Sequence, residues 1–108
     1  MDASLRALLD DWSARHGVPF VWVPTKAITY TNSVGAWHVR TGPINGEDDW
    51  ISIHPRADGC FELELVADAG HVEVVRLDLD GLAERLAGAL EWFAGWTSFY
   101  SQGPGSGH

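Results

Sequence analysis

The segment Cys60–Leu77, CFELELVADAGHVEVVRL, alternates apolar and polar residues on both sides of Ala67-Asp68-Ala69-Gly70. A period of two is the pattern of a strand with one buried and one wet face, and turn residues between two such runs predict a β-hairpin. A hairpin is not stable alone in water, so the rest of the chain must supply further strands and a cover for the apolar face. A four-residue turn pairs Leu63 with Val74 and Leu65 with Val72. It also sets Glu64 opposite Glu73, and like charges directly opposed on a sheet are destabilising. That acid pair marks the wet face as a candidate binding surface.

Strand signals continue upstream. Phe20–Val23 is a short apolar run closed by Pro24 and reads as an edge strand. Lys26–Thr31 and Val34–Arg40 flank Asn32-Ser33, a two-residue turn that pairs Ile28 with Trp37. After a loop over Thr41–Asp48, Asp49–His54 forms the next strand, and Pro55–Gly59 turns it into Cys60–Val66. Pairing about that turn sets Ile53 beside Phe61 and Ile51 beside Leu63. One face of the resulting sheet then collects Ile28, Tyr30, Trp37, Val39, Ile51, Ile53, Phe61, Leu63, Leu65, Val72 and Val74. The other face reads in rows: Arg40, Trp50, Glu64 and Glu73; then His38, Ser52, Glu62 and Val75; then Ala36, His54, Cys60 and Leu77.

Helices are expected at both ends. Leu5, Leu8, Leu9 and Trp12 lie at helical spacing over Ala3–Arg15, with Asp2 as cap, Gly17 as the C-terminal stop and Pro19 beyond it. A second helix is expected over Leu79–Phe99, capped by Asp78, with Leu82, Leu86, Leu90 and Phe93 facing the sheet. Trp92, Trp96 and Phe99 lie off that stripe. They fit either packing on the first helix near Trp12 or a homodimer contact. The tail Ser101–His108 is rich in Gly, Ser and Pro and is expected to be disordered. The fold class is therefore α+β: an N-terminal helix, a five- or six-stranded antiparallel meander, and a long C-terminal helix packed on one face. Residues 1–100 form a single domain.

Composition narrows the function classes. Fifteen acids against seven bases give a net charge of −8, which argues against a direct grip on nucleic acid, since that needs clustered Lys and Arg. A lone cysteine, Cys60, forms no intrachain disulfide and fits a reduced, cytoplasmic setting. The amino terminus lacks the charge and apolar pattern of a signal peptide, and no apolar run reaches a membrane span of about 18–20 residues.

Catalytic patterns are weak. Ser52, His38 and Glu62 share a row, but a nucleophilic triad needs the histidine between serine and acid, and here the serine is central. His54, Cys60, His38 and Glu62 spread over three strands without metal-ligand spacing. The acidic loop Gly46-Glu47-Asp48-Asp49 lacks the order of a calcium loop. No cofactor is expected. The reading is a small acidic, non-catalytic protein-binding domain of inhibitor, immunity, chaperone or adaptor type. Its partner is another protein, one with a basic surface fitting best. The candidate contact residues are Arg40, Glu47, Asp48, Asp49, Trp50, Glu62, Glu64, Glu73, Trp92 and Trp96. The alternative is a small metal- or ligand-binding enzyme using His and Glu residues on the wet face.

Overall fold

The computed structural model describes residues 3–24, 35–45, 48–68 and 70–101, with side chains through residue 95 apart from that of residue 45. The expected strand Lys26–Thr31 and its turn lie outside the described residues, as do the Asp2 cap, Glu47 and the 102–108 tail. The expected pairing of Trp37 with Ile28 is corrected: Trp37 has Trp22 opposite it on one side and Ile53 on the other, so the neighbour of its strand is the Val21–Pro24 segment.

Helix α1, Ala3–His16, buries Leu5, Leu9 and Trp12 on the expected stripe. It ends where Gly17 adopts φ +77° and its N–H donates to the Ser13 carbonyl at 2.8 Å, the left-handed stop that glycine makes without steric penalty. Five antiparallel strands follow in the order β1-β2-β3-β4-β5: Val21–Pro24, Gly35–Arg40, Trp50–Pro55, Phe61–Ala67 and His71–Leu77. Strand β1 pairs with β2 and ends at Pro24, as its edge position requires. Between β2 and β3, where a loop was expected, Gly42–Asn45 forms a single helical turn, α2. The Ile44 N–H closes it on the Thr41 carbonyl at 2.9 Å, and Pro43 sits within the first turn, where a missing donor costs nothing.

The register departs from expectation at two turns. The β2–β3 pairing follows the expected rows, with Trp37 opposite Ile53. The β3–β4 pairing is displaced by two residues, Ile53 meeting Leu63 and Ile51 meeting Leu65, because β3 runs on to Pro55 and the five-residue turn closes by the Arg56 N–H to the Cys60 carbonyl. A shift of two keeps every side chain on its face. The β4–β5 pairing is displaced by one: Ala67 pairs with His71, leaving a three-residue loop in which Asp68 takes φ +52°. A one-residue slip turns a whole strand over. Val72 and Val74 are therefore exposed on the wet face, while Glu73, Val75 and Leu77 turn to the other. The opposed pair Glu64–Glu73 does not exist. Glu64 faces Val74, Glu73 faces Leu65, and the two acids project from opposite sides of the sheet.

The C-terminal segment is two helices rather than one long one. Helix α3, Leu79–Ala87, starts at Asp78, whose carboxylate accepts the Gly81 N–H at 2.8 Å, and ends at Gly88; α4 spans Ala89–Ser101. One buried cluster joins Leu5, Leu9 and Trp12 of α1 to Val39, Ile51, Ile53, Phe61, Leu63 and Leu65 of the sheet and to Leu82, Leu86, Ala89 and Phe93 of α3 and α4. All of those sheet residues share one face, hereafter the helical face. The other is the open face.

Candidate functional site

The open face is built by alternation along β2–β5. Its central row runs His38, Ser52, Glu64, Val74, and Val21 extends it onto β1. On one side lies the row Arg40, Trp50, Val66, Val72; on the other, Ala36, His54, Glu62, Arg76. Ser52, His54, Glu64 and Val66 on this face are nonetheless buried. The valines of β5 are not covered: Val72 is 57% and Val74 53% exposed.

The polar groups in the middle are constrained. Nδ1 of His38 lies 2.9 Å from the Ser52 hydroxyl, and the His38 ring is tilted against the Trp50 indole at 6.2 Å. Burial lowers the His38 pKa below its ordinary value, with a smaller push from the Arg40 guanidinium. Burial also lowers that of His54, with Arg56 and His38 adding to the effect and the Glu62 carboxylate opposing it. Burial raises the Glu64 carboxyl. Each shift favours the neutral form, as desolvation demands.

The acid in the serine row is Glu64, not Glu62, because of the two-residue displacement of β3–β4. Ser52 still lies between histidine and carboxylate, and it is 2% exposed, so its hydroxyl has neither the order nor the access of a nucleophile. Cys60 falls in the turn after Pro55, and His54 faces Glu62 instead. Among the described residues no group of three or more His, Cys, Asp or Glu side chains is placed to hold a metal ion.

The expected contact residues scatter. Asp49 is 1% exposed, and its carboxylate accepts the Asp68 N–H at 2.7 Å, which makes it part of the β4–β5 turn rather than an accessible acid. Asp48 pairs with Arg40 at 2.6 Å. Glu62 holds Arg56 at 2.6 Å, with Arg76 at 3.9 Å. Glu73 binds Arg85 of α3 on the helical face, which removes it from the open face altogether. Trp92 is half-buried, packs against the core and meets Phe93 edge-on at 5.1 Å. The side chains of Trp96 and Phe99 lie outside the described residues. Of the expected set, Arg40, Trp50, Glu62 and Glu64 share the open face. The exposed pair Val72 and Val74 was missed, and its signal was the doublet Val74-Val75, which breaks the alternation and leaves its phase undecided.

No protein-family model matches this chain, and comparison with curated proteins and with solved structures finds no match in either.

Proposed function

We propose that this protein is a small, acidic, non-catalytic protein-binding domain that engages its partner through the open face of the sheet. The observation that carries the reading is the pair Val72 and Val74. Two β-branched side chains, two residues apart on one strand, stand more than half exposed on the same face, in the row that runs through buried Val66 to the partly exposed Trp50. Contiguous exposed apolar surface rimmed by charge is how protein interfaces are composed, with aromatic residues and arginine favoured. The charged rim holds Arg40 paired with Asp48 and Arg76 paired with Asp58, so the arginines there are offset by acids. The neutral forms favoured at His38, His54 and Glu64 lower the cost of excluding water when a partner covers the middle. The partner's matching surface is apolar at its centre. Basic groups at its edge fit a net charge of −8 and speed encounter.

The test compares captured proteins from the native host for the wild type and for Val72→Lys/Val74→Lys. Both positions are largely in solvent, so the double variant should melt within a few degrees of the wild type. It should lose the partner that the wild type retains. Unchanged capture by a folded double variant overturns the reading. A steep fall in melting temperature also overturns it, because the valines are then structural.

A further inference from the structure

We propose that a cleft at one end of the helical face, distinct from the open face, binds an uncharged aromatic small molecule. The cleft has a volume of about 440 Å³ and is walled by Leu5 of α1, Trp22 of β1, Trp37 of β2, Pro55 and Phe61. Small-molecule sites span about 300–1,000 Å³ and are mostly apolar, with aromatic walls. The two indoles meet edge-to-face, with ring centroids 5.3 Å apart and planes at 63°. The Arg6 guanidinium stacks 5.9 Å from the centre of the Trp37 ring and helps to fix it.

The wall is preformed because of a glycine. Gly35 lies diagonally across from Trp22, and the indole occupies the space where a side chain would stand. A Cβ added at Gly35 would lie 2.5 Å from Cζ2 of Trp22 and 2.8 Å from the Val23 carbonyl oxygen. The bare backbone at Gly35 is therefore a platform for the Trp22 ring, which still leaves 42% of that residue facing outward, available to a ligand. A tryptophan this exposed, held in one orientation against bare backbone, presents its face to whatever fills the cleft.

The charge of the occupant follows from the lining. Among the described lining residues Arg56 is the only ionisable one, and Glu62 holds its guanidinium at 2.6 Å. A ligand anion must compete with that carboxylate, and a ligand cation meets no carboxylate among those lining residues. Flat aromatic surface is what the two tryptophans and Phe61 complement.

The test uses the neutral fluorophore N-phenyl-1-naphthylamine and its anionic relative 8-anilinonaphthalene-1-sulfonate. Saturable one-to-one binding of the neutral probe is expected. Trp22→Ala should weaken it about tenfold or more, and Gly35→Ala should do the same by displacing the indole. In the wild type, the indole N–H resonances of Trp22 and Trp37 should shift on titration while that of Trp12 stays still, a readout that does not depend on the variants folding. The proposal is overturned by absence of saturation, by unchanged affinity in both folded variants, or by indole shifts confined to Trp12. Preference for the sulfonate probe, lost in Arg56→Gln, overturns the assignment of an uncharged ligand. A dimer that the probe dissociates, seen by light scattering, overturns it in favour of a second copy of this chain as occupant.

Discussion

Asp68 is the tightest backbone position among the non-glycine residues described. Its φ of +52° costs an L-residue energy that Asp and Asn bear better than most, and the Asp49 carboxylate compensates by accepting its N–H. Asp49→Ala leaves that donor without its acceptor in a nearly closed site and should cost about 1–3 kcal/mol, read from the urea midpoint at unchanged slope. Asp68→Gly keeps the N–H and removes the steric cost, so it should be neutral or stabilising by up to about 1 kcal/mol. The buried ionisable groups of the open face give a pH signature. The native state holds His38 and His54 below the ordinary imidazole value of 6.5, so it binds fewer protons than the unfolded chain there, and stability falls as the pH drops through 6.5. Glu64 acts in the opposite sense. Its carboxyl is raised above 4.5, so the native state takes up that proton first and gains stability as the pH falls towards 4.5. Glu64→Gln should therefore stabilise the protein at pH 7, by up to about 1 kcal/mol, and its advantage should shrink on acidification. Melting curves from pH 7.5 to 4.5 measure both, and a constant gap between variant and wild type contradicts the assignment.

At the level of elements, legibility followed how local the deciding contacts are. Helix α1 was readable because its buried stripe Leu5, Leu9, Trp12 and its stop at Gly17 are short-range features. The β2–β3 rows were readable because both strands alternate without ambiguity, even across the Thr41–Asp48 segment. The phase of β5 was not. Val72 and Val74 fit one face of His71–Leu77 and Val75 and Leu77 fit the other, and the choice is made by a three-residue turn and by Arg85, twelve residues beyond the Glu73 it binds. Such an ion pair is invisible to periodicity. The break in the C-terminal helix falls at Gly88, one of three glycines that weaken it, and nothing in the spacing singles that glycine out. Its φ of −101° suits any L-residue, and an added Cβ finds its nearest neighbour, the Arg85 carbonyl oxygen, at 4.0 Å. Gly88→Ala should thus stabilise the protein by about 0.5–1 kcal/mol and raise helical ellipticity; destabilisation would mean the break is required by packing.

Across the molecule, charge and core are organised separately. Every arginine of the chain is paired with an acid: Arg6 with Asp10, Arg15 with Asp11, Arg40 with Asp48, Arg56 with Glu62, Arg76 with Asp58 and Arg85 with Glu73. Most of these pairs are exposed and each contributes little to stability, about 0–1 kcal/mol. Their effect is on the distribution of charge, since they neutralise the faces where they lie and leave the excess on groups such as Asp80, Glu84 and Glu91. The core, by contrast, draws on α1, the sheet, α3 and α4 in one cluster, so the helices and the sheet should melt together. Far-ultraviolet dichroism and tryptophan fluorescence should report one shared midpoint, and Leu63→Ala, at the centre of that cluster, should lower it with a cost of about 2–5 kcal/mol. Strand β5 adds a consequence at this scale. It closes the order of strands among the described residues with seven residues, no proline and two bare valines, whereas β1 at the other border is four residues long and ends in proline. A border of that kind is a template onto which another chain can lay a strand. At high concentration, self-association is expected to run edge to edge along β5.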